Sequence, residues 1–414
     1  MRASLVLLHR WFGLFMAVFL IVSGLTGAII SWDHELDEWL NPQMYQSGSG
    51  GVRSTQSALA LAEQFEAQDK RAMVTYLPLA IEPGHALGMS VRARPDLSTG
   101  KAYPLDYNQV ALDPATGAVQ GSRMWGDVSL TRENLLPFLY KLHYSLHIPN
   151  GFGMELGVLF MGIVGIVWVI DSFIALWISF PNGSAWRKSF VFRWKQGGYR
   201  LNFDLHRSGG VWLWALLLTL AVTSVSMNLN FQVVRPVVSL FSELAPSPFA
   251  IRAPNPPDQP REPRIGREQV IALAKSEAEK RNWELPAGGV FYNPEVGIYG
   301  VGFFKPGNDH GDGGLGNAWL YFDGQDGRFI SALVPGTGGA GDIFMQAQFP
   351  LHSGRILGLP GRILVSFMGL AVAVLSVTGI VIWARKRTAR ARNAESTVGP
   401  DKSQRIPTPA HEIS

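Results

Sequence analysis

Four stretches of this 414-residue chain are too long and too apolar to stay in water, and they decide what it can fold into. A helix crosses the hydrocarbon core of a bilayer with roughly 20 predominantly apolar residues. The stretches from Ala3 to Trp32, Phe152 to Phe180, Gly209 to Leu229 and Gly361 to Trp383 all meet that length. Inside lipid every backbone polar group must bond within its own segment, so each stretch is expected to be a helix. The first begins with a basic residue, as a signal peptide does. It is too long for one, and no small-x-small cleavage site precedes WDHELDEW at 32–39.

Basic residues set the expected orientation. The segment between the second and third spans carries Arg187, Lys188, Arg193, Lys195 and Arg200 against one acid, Asp204. The tail ARKRTARAR at 384–392 is basic again, while Asp33, Glu35, Asp37 and Glu38 flank the far end of the first span. Both termini and the middle loop are therefore expected in the cytoplasm of a bacterial inner membrane, with two larger regions in the periplasm. The expected divisions are a first span to residue 33, an outer region at 34–140, a pre-helix and second span at 141–181, and a basic loop at 182–205. A third span follows at 206–230, a second outer region at 231–355, a fourth span at 356–385 and a basic tail at 386–414. The net charge of +4 is explained by this topology and gives no reason to invoke nucleic acid.

The two outer regions look alike. Each opens with a helix-like stretch, at 54–68 and 266–283, and continues in alternating runs such as ALGMSVRARP and GGVFYNPEVGIYGVGFF. Each ends in a strand–turn–strand, at 108–121 and 318–331, with Asp-x-x-x-Gly at the turn. Residues 245–264 are proline-rich and read as a linker. The expected fold class is a four-helix membrane protein with two α+β outer domains, arranged as an internal duplication.

The chain has nine histidines and no cysteine, which removes disulfides, thiolate metal sites, iron–sulfur clusters and covalent haem attachment. The sequence Leu-His-Arg opens the first span with His9-Arg10 and the third with His206-Arg207. At the opposite face, YKLHYSLHIPNG places His143 and His147 before the second span, and FPLHSGRILGLPGR places His352 before the fourth. Five histidines thus fall in two layers, one at each membrane face. Paired imidazoles in facing helices are what a low-spin b-type haem needs above and below its ring, and two haems would form a relay across the bilayer. Arg10 and Arg207 are the expected partners of the haem propionates. His and Arg at a span's end also serve as plain interfacial anchors, a reading that fits any one of these residues better than it fits the set. His143 and His147, four apart, are expected on one helical face, which leaves open which of them ligates. SGLTG at 23–27, MGIVG at 161–165 and SVTG at 376–379 are small enough to let helices approach closely.

Asp171 is the one acid deep in a span, a candidate for proton coupling, quinol contact or a structural hydrogen bond. KPGNDHGDGGLGN at 305–317 holds Asp309, His310 and Asp312, but its glycines read as a turn before they read as a metal site. GTGGAGDIF at 336–344 lacks the Lys-Ser/Thr of a phosphate loop and is expected as a mobile lip over the outer site. His34 reads as an interface residue, and His85 and His411 as surface residues. The spacing G-x-G-x-x-G occurs in GDGGLG at 311–316 and GTGGAG at 336–341, and neither is read as a flavin or NAD fingerprint, which needs the spacing inside a strand–helix–strand unit.

LHRWFGLFMAVFLIVSGLTGAII followed by ELDEWLNP, the second LHR in NFDLHRSGG, and PLHSGRILGLPGR together resemble the PepSY-associated transmembrane proteins, also called iron-regulated membrane proteins. The resemblance runs to about residue 390 and implies two PepSY folds, each a helix on a small antiparallel sheet. It implies a di-haem inner-membrane reductase that reduces a ferric siderophore or similar chelate in the periplasm and releases Fe²⁺. It would draw electrons from a quinol or another donor and work beside periplasmic iron-uptake proteins. By the same resemblance His9 and His206 match the cytoplasmic ligand pattern and His352 the outer one. Two alternatives stand beside this: a non-enzymatic PepSY module that binds a periplasmic protein, and a siderophore or haem transporter, for which four spans offer too few intramembrane polar groups.

Overall fold

The apolar runs do form long helices. The computed structural model describes residues 1–50, 56–96, 98–180, 182–311 and 313–397. In chain order its elements are α1 (Arg2–Ile30), α2 (Asp33–Leu40), α3 (Pro42–Tyr45), α4 (Ala58–Gln68), β1 (Ala72–Pro78), β2 (Leu87–Ala93), β3 (Gln109–Leu112) and β4 (Val119–Arg123). Then come α5 (Leu135–Ser145), α6 (Leu156–Ser179), α7 (Gly198–Asn228), α8 (Arg235–Ser239) and α9 (Arg267–Lys280). The chain closes with β5 (Ala287–Asn293), β6 (Ile298–Phe303), β7 (Ala318–Asp323), β8 (Phe329–Leu333), α10 (Ala340–Ser353) and α11 (Leu359–Thr397). Among the described residues, α1, α6, α7 and α11 are the four helices long and apolar enough to cross a membrane.

Two of these helices outrun the apolar stretches that announce them. α7 starts at Gly198, because buried Asp204 is held by Arg193 through bonds of 2.6 Å at Nε and 2.7 Å at the guanidinium tip. That ion pair ties the 3₁₀ segments between α6 and α7 to the helix and makes the polar first turns tolerable. α11 runs on through ARKRTARAR, whose alanines, lysines and arginines are all good helix formers. His411 and the rest of the tail beyond 397 lie outside the described residues, as do Ser54, Thr55 and Asp312.

The helices cross where the glycines allow it. A Cβ on Gly24 of α1 would stand 2.5 Å from the Gly369 carbonyl of α11, and one on Gly369 would stand 2.4 Å from the Gly24 carbonyl. Gly162 of α6 similarly lies beneath Leu229, just beyond α7. Close backbone approach through small residues is how spans associate without a hydrophobic drive.

The two outer regions do not fold as separate sheets. They share one eight-stranded antiparallel sheet in the order β4-β3-β2-β1-β5-β6-β7-β8. The join is β1 against β5, with Tyr76 opposite Phe291 and Leu77 opposite Val290. Separate four-stranded sheets would each expose a strand edge here, and pairing the edges satisfies both rows of backbone groups. α4 and α9 cover one face, burying Leu61, Phe65, Val270 and Ala274 against Leu77, Val91, Val301 and Leu320. Arg267 of α9 reaches across the join to Glu66 of α4. The sheet is anchored to the bundle through α2. Asp37 and Arg123, both with side chains 5 % exposed, form an ion pair at 2.6 Å that Tyr45 and Asn41 complete.

GTGGAGDIF at 336–344, expected as a mobile lip over the outer site, opens α10 from Ala340 on and lines neither of the two cavities beside the histidines. Gly339 caps the helix, its N–H donating to Asp342 Oδ2 at 3.0 Å.

Candidate functional site

Four of the five layered histidines meet in two facing pairs. His9, near the start of α1, faces His206, near the start of α7, with ring centres 6.0 Å apart and planes at 47°. His143, near the end of α5, faces His352, near the end of α10, at 6.1 Å and 60°. The first pair lies at the bundle end away from the sheet and the second at the end beside it. On α1 the two levels are marked by His9 and by Thr26, 17 residues on, which at the helical rise is about 25 Å.

Each of the four rings is held by Nδ1. His206 Nδ1 bonds the Leu375 carbonyl at 2.9 Å and lies 3.3 Å from Thr378 Oγ1. His143 Nδ1 bonds the Ser23 carbonyl at 2.9 Å and lies 3.2 Å from Thr26 Oγ1. The two cradles are the same: a threonine, the carbonyl three residues before it, and a glycine after it. A Cβ on Gly27 would stand 2.9 Å from His143 Cε1, and one on Gly379 would stand 3.0 Å from His206 Cε1, so glycine is what lets each ring come this close to the helix. His352 Nδ1 lies 2.9 Å from Thr223 Oγ1. His9 Nδ1 sits between the two oxygens of Asp171, at 2.9 and 3.0 Å. Among the described residues no hydrogen bond uses any of the four Nε2 atoms. A ring fixed at Nδ1 with Nε2 free is the arrangement of a metal-ligating histidine.

The spacing suits a shared metal ion. An imidazole nitrogen binds a first-row metal at about 2.0–2.1 Å and the ring centre lies about 1 Å beyond, so two rings on one ion stand about 6 Å apart.

His147 takes no part in the pairing. Leu146 and His147 adopt left-handed backbone, at φ of 54° and 53°, which ends α5 and turns the chain into α6. His143 and His147 therefore do not share a helical face. His147 stacks on Phe138 at 4.5 Å, and its Nε2 is spent on the Phe138 carbonyl at 2.9 Å.

Each pair lines a cavity, of about 440 Å³ at the sheet-distal end and about 490 Å³ at the sheet-proximal end. Both are in the range of a cofactor pocket. Leu20, Trp168 and Val372 line both, so one layer of side chains separates them. Arg10 and Arg207 line the distal cavity together with Lys386 and Arg390. The Nε atoms of Arg10 and Arg207 are buried without a hydrogen-bond partner, a costly state that an anionic group in that cavity would relieve. The donor set, the spacing and the cavities fit a haem at each pair, and the orphaned guanidinium nitrogens add to that fit at the sheet-distal one.

His310 joins Asp33, Glu155 and Arg355 in the lining of the sheet-proximal cavity. Gly313 and Gly314 donate to the carbonyls of Arg355 and Ile356 at 2.9 and 3.0 Å, which pins the 305–317 segment beside His352. His310 bonds Asp309 at 2.7 Å, and that bond raises its pKa. His34 meets Tyr45 edge to face, and His85 lies 3.6 Å from Glu38.

The threonines were missed as functional residues, although a signal for two of them was present: Thr26 and Thr223 follow His9 and His206 at the same distance of 17 residues.

A family model described as the PepSY-associated TM region matches residues 6–386. No curated protein matches the chain.

Proposed function

Because the chain belongs to the PepSY-associated TM family, we propose that it is a bis-histidine di-haem membrane oxidoreductase that passes electrons to a ferric chelate on the sheet side of the bilayer. The observation that carries this reading is the pair of facing imidazole pairs, each ring fixed at Nδ1 and each Nε2 free. His9 and His206 would hold the sheet-distal haem, and His143 and His352 the sheet-proximal one. Haem b, when bound, would supply reversible one-electron chemistry between ferric and ferrous iron.

The protein's own groups do the rest. Arg10 and Arg207 neutralise carboxylates at the distal edge. The layer of Leu20, Trp168 and Val372 keeps water from between the sites and holds them close. The basic loop at 182–205 and the basic tail support a reading with the distal pair at the cytoplasmic face of an inner membrane and the sheet in the periplasm. There a ferric siderophore or similar chelate would dock beside His310 at the sheet-proximal cavity, take one electron, and lose its grip as Fe³⁺ becomes Fe²⁺. Two homologous halves, each a span, an α+β unit and a second span, account for the paired ligands as an internal duplication. The donor on the cytoplasmic side is a quinol or another reductant.

The test is a stopped-flow experiment. Haem-loaded protein in detergent, reduced with dithionite and freed of excess, is mixed with ferric citrate or a ferric hydroxamate. The reduced bands decay as Fe²⁺ appears with the iron chelates and persist with the redox-inert gallium analogues. Bands that persist with every ferric chelate refute the reductase reading and leave a haem-binding or partner-binding module.

A further inference from the structure

Three of the four paired rings rest Nδ1 on uncharged groups: the Ser23 carbonyl and Thr26, the Leu375 carbonyl and Thr378, and Thr223. His9 alone rests on a carboxylate, with both oxygens of Asp171 within 3.0 Å. Asp171 in α6 serves His9 as Thr378 in α11 serves His206, so the two halves differ in the charge of this support. Asp171 is 6 % exposed and forms no ion pair with lysine or arginine among the described residues. Its direct ionic contact is therefore with His9, at a position little exposed to water. For Nε2 to present a lone pair, Nδ1 must carry the proton and donate it to the carboxylate, which makes the ring a stronger electron donor at Nε2.

We propose that Asp171 is a positioning residue that makes His9 the strongest donor of the four ligands and the sheet-distal site the lower in potential. The inference rests on the di-haem reading given above. A stronger donor favours ferric over ferrous iron, so with haem bound at both pairs Asp171 and His9 would make transfer of one electron from the distal to the proximal site downhill, with no proton moved and no bond broken. The asymmetry gives an otherwise paired arrangement a direction, toward the sheet.

The experiment is a potentiometric titration of the full chain loaded with haem, as wild type, Asp171→Asn and Asp171→Glu. Asparagine keeps the size and an acceptor oxygen and removes the charge. The expected result is that the lower of two midpoints rises in Asp171→Asn while the upper stays. At a fixed potential the oxidised-to-reduced ratio of that haem changes about tenfold, or about 59 mV for a one-electron couple. Asp171→Glu keeps the low midpoint. In a His143→Ala background, which leaves only the distal haem, the single midpoint moves by the same amount. Two unchanged midpoints at full haem content overturn the inference, as does a loss of haem in Asp171→Asn with no shift in what remains bound. A wild-type protein that binds no haem overturns the underlying reading instead, so the two failures are distinct.

Discussion

Adding one methyl group to Gly27 should cost the protein one haem without touching a ligand. The Cβ of an alanine there would stand 2.9 Å from His143 Cε1 and 3.3 Å from Nδ1. Carbon atoms settle at about 3.5–4.0 Å, so the ring must retreat by about 0.6 Å or more. A ligand constellation tolerates about 0.5 Å. The retreat also stretches the Nδ1 contacts with the Ser23 carbonyl and Thr26, which start at 2.9 and 3.2 Å. Losing such a support costs about 10–100-fold in metal affinity, or about 1.4–2.8 kcal/mol. The helix itself is not at risk, because alanine is better than glycine in a helix interior by about 1 kcal/mol. Apoprotein titrated with haemin, with content measured as the pyridine haemochrome, should show one native site and one site weakened by that factor. Gly379→Ala, whose Cβ would stand 3.0 Å from His206 Cε1, should weaken the other site instead. Two native-affinity sites in Gly27→Ala would refute the claim that the glycine seats a ligating ring.

Three further outcomes follow from the structure. His147→Ala should keep both haems and His143→Ala should lose one, as read from the reduced-minus-oxidised spectrum; the reverse would mean that the turn after α5 rearranges around the iron. Removing Asp37 should leave Arg123 buried and unpaired and cost about 3–5 kcal/mol, seen as a lower melting temperature of the detergent-solubilised protein. The Asp309–His310 bond raises the histidine pKa above its ordinary value of about 6.5, so its contribution is complete below that pH and fades as pH rises through the raised value. Arg355 opposes and Asp33 supports the charged form. Amides at 305–317 should therefore exchange faster at pH 8.5 than at pH 6 beyond the intrinsic rate, a difference that His310→Ala should abolish.

The spans were legible because lipid leaves a chain little choice: an apolar run long enough to cross must be a helix. His9 and His206 were legible as a repeated Leu-His-Arg at equal depth. Which of His143 and His147 faces His352 was not, because a helical spacing of four holds only while the helix lasts, and α5 stops at Ser145. The join of β1 to β5 was hidden as well. Edge pairing between strands some 200 residues apart leaves no mark on either strand's own alternation. Gly339 read as part of a mobile lip because glycine serves loops and helix caps alike, and only Asp342 three residues later distinguishes them. The Asp171 contact was half visible: an intramembrane acid invites a function, but His9 as its partner required the packing of α1 against α6.

The central claim is that each facing histidine pair holds one haem. Its most direct test is the haem content and low-temperature electron paramagnetic resonance of the purified, haem-loaded chain, wild type against His206→Ala and His352→Ala. The account predicts two low-spin ferric haems per wild-type chain, and the loss of one different low-spin signal in each variant. A wild-type chain that takes up no haem, or one that keeps both low-spin signals in either variant, would contradict it.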